Sequence, residues 1–303
     1  MIGESAVGIV VIGRNEGERL SRCLSSSEMD LPAKVYVDSG SRDDSVAIAR
    51  SHGFPVIELH ESAPFSAARA RNAGFEWLTD AFSNIEFAQF VDADSVLQPG
   101  WIAAGTRYLR DHQDVAAVCG ILRELDPDAS IFNHLCDLEW QVPAGQISST
   151  GGIAMFRCSA FRDENGFRED LIAGEEPDLC FRLRRNGWSV FKIGAAMALH
   201  DAAMTTIGQW WARGRRSGHA AAQALAIRGP SDREALRAVV STIFWALPSA
   251  WILWPFQWLR LQRRLGPAYA THILFGKFPQ LLGQIGFWLA HARRRPRRII
   301  EYK

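Results

Sequence analysis

The chain has 303 residues, 48% of them hydrophobic, with Lys+Arg 34 against Asp+Glu 33, which excludes a disordered polymer and supplies enough apolar material for a sizeable core. The formal charge of +1 conceals a division: residues 1–201 carry 18 basic and 30 acidic side chains, and residues 202–303 carry 16 and 3, balances of −12 and +13. An asymmetry of this size predicts two parts that meet different partners, the basic one facing nucleic acid or a membrane surface.

The first apolar run, Gly8–Ile12, begins too early and is too short for a signal peptide. Val7–Ile12 reads instead as a buried strand. Helix then follows over Gly17–Ser25, strand over Lys34–Asp38, helix over Ser45–His52, strand over Pro55–Leu59, helix over Ala67–Ala81 and strand over Phe87–Asp92. Strand and helix in alternation predict an α/β domain built on a mainly parallel sheet. Beyond residue 115 the pattern weakens, but Ser149-Thr150-Gly151-Gly152 reads as a loop of close approach. Pro177 suits a first helical position, so Asp178–Asn186 is expected to be helical and to stop at Gly187. A strand over Ser189–Ile193 precedes His200-Asp201. The five Cys show no CxxC or Cys/His pairing at zinc spacing, so buried thiols in a reducing compartment are expected, with the first part of the chain cytoplasmic.

The last hundred residues differ. Val239–Leu259 is uncharged and about 31 Å long if helical, the thickness of a bilayer core. Pro248 and Pro255 would kink it, leaving open a span or a helix lying in the interface. Phe278, Leu281, Leu282, Ile285 and Leu289 recur at helical spacing with Gln280 and Gln284 on another face, which suits an interfacial helix. The basic cluster Arg293-Arg294-Arg295-Pro296-Arg297-Arg298 suits anionic lipid. Dense Trp and apolar residues beside these arginines favour lipid over nucleic acid, which is not expected as a partner.

Ligands of parallel sheets bind beyond the carboxyl ends of the strands, and three such ends carry polar clusters: Arg14-Asn15-Glu16, Asp38-Ser39-Gly40-Ser41 and Asp92-Ala93-Asp94. Two carboxylates one residue apart on a turn suit a hard divalent cation such as Mg²⁺ or Mn²⁺, with substrate phosphates completing its shell.

Five stretches in order, VVIGRNEGERLSRCL (10–24), VDSGSRDDS (37–45), ARARNAG (68–74), VDADSVLQPGW (91–101) and GEEPDLCFRLRRNGW (174–188), resemble the family 2 glycosyltransferases. The resemblance covers most of residues 7–201. It implies an A-type nucleotide-sugar fold over 1–201, followed by a basic, Trp-rich helical membrane-association region over 202–303. It further implies transfer of a sugar, with inversion, from a nucleotide-diphosphate donor to a hydroxyl of a lipid-linked or polysaccharide acceptor at the cytoplasmic face of the cell membrane. Position by position, Asp38 matches the acid that hydrogen-bonds the donor's base, and Arg71 and Asn72 lie near the donor. Asp92 lies near ribose or metal, Asp94 is the principal metal ligand, and His200 closes on the metal. Arg14, Asn15 and Glu16 line the donor site. Glu176 stands where the family usually has Asp as base, so either Glu175 or Glu176 is the candidate for that role. Arg14 stands where relatives often have a Tyr that stacks on the base; a guanidinium plane can stack too. Within GQWWARGRRSG (208–218), Arg213 or Arg216 is a candidate diphosphate clamp, with an amphipathic membrane-leaning helix as the alternative. A nucleotidyltransferase fits less well, because Gly13–Arg19 is a poor phosphate loop; a non-catalytic sugar-nucleotide scaffold finds its only support in the Glu-Glu departure.

Overall fold

The computed structural model describes residues 6–61, 63–171 and 173–293, which form two compact units. Residues up to Leu125, Trp140–Glu169 and Glu175–Ala202 make the first; Asp126–Glu139, Asp170–Gly174 and the chain from Ala203 onwards make the second. Two short segments that a linear division at residue 201 gives to the catalytic part therefore belong to the other unit.

In chain order the first unit contains β1 (Val7–Gly13), α1 (Glu18–Leu24), β2 (Lys34–Asp38), α2 (Ser45–Ser51), β3 (Val56–Glu58), α3 (Ala67–Ala81), β4 (Phe87–Asp92), β5 (Ser95–Leu97), α4 (Trp101–Asp111) and β6 (Val115–Glu124). Helix α5 (Ile131–Trp140) lies almost wholly in the second unit, and β7 (Gly145–Gln146), β8 (Ala154–Arg157), α6 (Cys158–Asp163), α7 (Glu175–Arg185) and β9 (Ser189–His200) return to the first. The sheet runs β3-β2-β1-β4-β8-β6-β9-β5, with β7 on β9. Its β3-β2-β1-β4 half is parallel, and so is β6 on β9. Strand β8 runs antiparallel to both β4 and β6, and β5 and β7 run antiparallel to β9. The sheet is thus mixed rather than mainly parallel.

Strand β1 is a continuous apolar run because both its faces are covered: Ile9, Val10 and Val11 are inaccessible to solvent. Each such side chain contributes about 1.5–3 kcal/mol over an exposed one. Trp101 is buried with its Nε1–H donating to Gln89 Oε1 at 2.8 Å, and Gln89 Nε2 donates to the Phe90 carbonyl at 2.7 Å, so these two buried polar side chains satisfy each other and the backbone. All five Cys are buried and free, and burial pushes the Cys23 thiol well above its ordinary range and that of Cys119 up to about 12.

Strand β9 is longer than the β-branched stretch Ser189–Ile193 predicts. Gly194-Ala195-Ala196 has weak intrinsic strand preference, but irregular pairing with β6 carries it on to His200. Helix α7 begins at Glu175, so both glutamates occupy its first turn, where acidic groups meet the positive end of the helix dipole.

The second unit adds α8 (Ile207–Arg228), α9 (Arg233–Ala246), α10 (Trp254–Leu265), α11 (Pro267–Phe275) and α12 (Lys277–Ala292). A capping box between Thr206 and Gln209 starts α8. Helices α8 and α12 approach so closely that a Cβ on Gly218 would lie 1.9 Å from the Gln280 carbonyl oxygen, and one on Gly283 would lie 2.0 Å from that of Arg215. The uncharged run Val239–Leu259 is not one helix. Pro248 ends α9 and opens a 3-10 turn, and the two arms meet at a bend of 85°. Among the described residues no single helix is long and apolar enough to cross a membrane. In α12, Gln284 is buried while Leu282, Ile285 and Leu289 face outward, the reverse of a water-facing helix. Arg294–Arg298 lie outside the described residues.

Candidate active site

Strand register brings the polar clusters level. Gly13 pairs with Asp38 and Ile12 with Asp92, so the loops after β1, β2 and β4 leave the sheet at one edge. In the first loop Asn15 takes a left-handed conformation, φ 56°, tolerable for Asn. Its amide N–H donates to Ser41 Oγ at 2.9 Å, and its Oδ1 accepts from the Arg42 N–H at 2.8 Å. Glu16 pairs with Arg19 at 2.8 Å, and its N–H donates to Ser45 Oγ at 3.1 Å.

Asp38 is buried and accepts four hydrogen bonds: from the Tyr36 hydroxyl (3.1 Å), the Gly40 and Ser41 N–H groups (3.0 and 2.8 Å) and the Ser41 hydroxyl (2.6 Å). These occupy about as many positions as a carboxylate offers, so Asp38 shapes the 39–41 loop. Burial and the Asp38 charge together push the Tyr36 hydroxyl far above its ordinary range. Arg14 lies over the ring of Phe65 at 5.5 Å, and Phe65 in turn fills the space a Cβ on Gly40 would need. Phe65 therefore lies between Arg14 and the loop at Gly40, a place that no motif around it signals.

Asp92, Asp94 and His200 form a cluster whose potential ligand atoms all lie within 4.8 Å of one another. The register Ser95↔His200 explains it: β9 runs antiparallel to the strand that starts just after Asp94, and the Asp201 N–H donates to the Asp94 carbonyl at 2.9 Å. His200 Nε2 is 3.3 Å from Asp94 Oδ1, with its ring edge-on to Trp140 at 4.9 Å. Two carboxylates and one imidazole converging on a point fit Mn²⁺ or a similar divalent ion.

Arg71 connects this cluster to the glutamates. Its Nη2 donates to Asp92 Oδ1 at 2.7 Å, and its Nη1 to Glu175 Oε1 and Glu176 Oε1, both at 3.0 Å. Burial alone would weaken its proton affinity, but Asp92, Glu176 and Glu175 outweigh this and hold it far above its ordinary range. Burial, then the neighbouring Glu175 charge, pushes the Glu176 carboxyl up to about 7 against the opposing pull of Arg71. Gly152 lies against this network: a Cβ there would lie 2.5 Å from Asp92 Oδ2 and 2.7 Å from Arg71 Nη2. Asn72, next along α3, donates to the Phe167 carbonyl (2.8 Å) and Glu169 Oε1 (3.0 Å) and accepts from the Phe167 N–H (2.9 Å), so its amide braces the 167–169 loop.

Arg213 and Arg216 lie on α8 in the second unit. Arg213 Nη1 pairs with Glu139 Oε2 at 2.7 Å, and His272 Nε2 lies 2.7 Å from Glu139 Oε1. Burial raises the Glu139 carboxyl, but His272 and Arg213 together hold it below its ordinary value. Gln209 is spent on the helix cap, and Trp210 Nε1–H donates to His272 Nδ1 at 2.8 Å. Gln209, Trp210 and Arg213 are thus engaged within their own unit.

A sequence profile described as Glycosyl transferase family 2 matches residues 8–164, about half the chain. The chain belongs to glycosyl transferase family 2. The chain is 28% identical over 239 residues to a pre-mycofactocin glycosyltransferase of Mycobacterium tuberculosis, a match that covers 74% of the chain and 48% of the relative. The chain thus spans about half the length of that relative. Among solved structures, the fold resembles a mannosyltransferase, PcManGT from Pyrobaculum calidifontis, in complex with GDP-Man and Mn²⁺ (TM-score 0.63, 18% identity, 93% of this chain and 87% of that one). It also resembles residues 1–349 of S. aureus TarS (TM-score 0.54, 12% identity, covering 95% and 92%).

Proposed function

We propose that this glycosyltransferase inverts configuration and depends on a divalent metal, taking a nucleotide-diphosphate sugar as donor and a lipid-linked or glycan hydroxyl as acceptor at the cytoplasmic face of a membrane. The observation that carries the reading is the chain of contacts Asp94–His200, Asp92–Arg71, Arg71–Glu175/Glu176, which ties a metal-ligand set to a carboxyl whose affinity for protons suits a base. Asp92, Asp94 and His200 would hold the ion, which when bound offsets the negative charge of a leaving diphosphate. The mannosyltransferase of similar fold is in complex with Mn²⁺, in keeping with this.

Glu176 is the better candidate for the base. A carboxyl raised to about 7 is half in its proton-accepting form near neutrality, the condition that favours general-base work. It takes the proton of the acceptor hydroxyl as that oxygen bonds the anomeric carbon opposite the diphosphate, whose bond to carbon breaks with both electrons leaving on oxygen. No second carboxylate is needed as a nucleophile, so the product has inverted configuration. Arg14 and Phe65 supply a flat wall suited to a nucleobase, beside the loop that Asp38 shapes. The outward apolar faces of α9, α10 and α12 support the membrane reading. The test is a screen of sugar nucleotides for Mn²⁺-dependent binding and for nucleotide release with and without acceptor. Tight donor binding with no release under any acceptor would favour the non-catalytic scaffold and refute the proposal.

A further inference from the structure

The second unit ends α9 and begins α10 around a strongly apolar tip. On α9, Val240, Ile243, Phe244 and Leu247 are exposed at spacings of three and four residues, which places them on one face. The tip adds Trp251, Ile252 and Leu253, and α10 adds Phe256 and Leu259; Ile252 is 76% and Phe256 71% exposed. A continuous face of this kind is far more than the scattered apolar side chains of an ordinary surface. Exposed arginines mark the far end of each arm: Arg233 and Arg237 at the start of α9, and Arg260, Arg263 and Arg264 at the end of α10. The last three line an open groove of about 450 Å³ together with Phe256 and Leu259.

Length and angle decide what such a shape can do. The arms on either side of the bend are Arg233–Ala246 and Pro248–Leu265, of 14 residues and of 6 and 12 residues in succession, roughly 21 and 27 Å as helices. With an 85° bend between them and both ends at one level, a tip pointing into a bilayer reaches roughly 16 Å, about half of a hydrocarbon core roughly 30 Å thick. Both basic ends then stay at the same surface. Basic residues at both ends are costly for a span, which must carry one set across the hydrocarbon, but natural for a segment that enters and leaves by the same leaflet.

We infer that α9, the tip and α10 form a re-entrant dip inserted into one leaflet of an anionic phospholipid bilayer, with lipid phosphates held by Arg260, Arg263 and Arg264. The inference rests on the membrane reading above and specifies its topology: one-sided insertion rather than crossing.

The test uses the full chain in membranes from expressing cells, with single Arg237→Cys and Arg264→Cys variants. The native thiols are all buried, so a membrane-impermeant maleimide reports the new ones. The expected result is that the protein sediments with membranes in high salt, and that both positions label in vesicles of one orientation and neither in the opposite one. Labelling from opposite sides means a span and overturns the dip while leaving membrane association intact. Release with soluble proteins overturns the membrane reading itself. With purified protein, Ile252→Asp should cut binding to phosphatidylcholine–phosphatidylglycerol vesicles at least tenfold without lowering Tm, since the side chain packs on little. Arg260→Gln, Arg263→Gln and Arg264→Gln together should lower it about a hundredfold and abolish the preference over pure phosphatidylcholine. Undiminished binding by either variant overturns the assignment.

Discussion

Replacing Arg71 with Met removes one cation from among three carboxylates while keeping most of the side-chain volume. The Arg71 side chain is 3% exposed, and those of Asp92, Glu175 and Glu176 are 30%, 7% and 14% exposed, so little solvent is available to take over its role. Breaking a buried ion pair by deleting one partner costs about 3–5 kcal/mol, which for a chain of this size lowers Tm by roughly 6–15 °C. The loss has a pH signature. Without the guanidinium, the carboxyls hold protons more tightly in the folded than in the unfolded chain, so the variant loses stability as pH rises and regains it as pH falls. Scanning fluorimetry from pH 5 to 8 should therefore show a gap between wild type and Arg71→Met that is widest at pH 8 and narrows towards pH 5. Arg71→Lys should fall between them, since it keeps the charge but cannot reach three partners at once. A gap below about 1 kcal/mol, or one that does not change with pH, would refute the view of Arg71 as the brace between metal cluster and base.

Three further outcomes are expected. Mn²⁺ at a hundred times its Kd should stabilise the wild type by about 2.7 kcal/mol and leave Asp94→Ala unshifted; near-normal turnover by that variant would remove Asp94 from the metal site. The rate of transfer should fall on the acid side of about pH 7 if, as proposed, only the deprotonated Glu176 accepts the acceptor's proton, and Glu176→Gln should lower kcat about 10²–10⁴-fold with donor affinity retained. If Glu175→Gln shows that loss instead, the base is the other glutamate. Gly152→Ala should weaken Mn²⁺ binding at least tenfold, because the added Cβ displaces Asp92 or Arg71; unchanged affinity in a titration would mean that loop gives way freely.

Much of the stretch up to residue 92 is legible because short strands, most of them apolar and buried, alternate with helices: Lys34–Asp38, Ala67–Ala81 and Phe87–Asp92 occur at the predicted bounds. Asp92 and Asp94 stand out for the same reason, two residues on one turn. Arg71's role does not, since its partners Glu175 and Glu176 lie 104 and 105 positions away, and only the folded sheet brings α3 and the start of α7 together. Phe65 is hidden likewise: nothing local marks a lone Phe as standing beside Arg14. In the second unit hydropathy located the apolar run and Pro248 marked a break in it, but neither showed that the break is a 3-10 turn with a bend of 85°.

The way the chain is divided between the two units has a consequence for its synthesis. It passes from one to the other five times, at residues 125, 139, 169, 174 and 202. The sheet of the first unit is complete once β9 has emerged, but α5 must wait for α8 and α11: Glu139 is held by Arg213 and His272, and Asn133 Oδ1 accepts from the Met204 N–H at 2.9 Å. At ribosomal rates of about 5–20 residues per second that wait lasts seconds. During it, a helix with Leu135 and Cys136 on its inner face stands without its partners. A chain cut after Ala202 would remain in that state permanently, and is expected to aggregate rather than to yield a free catalytic domain.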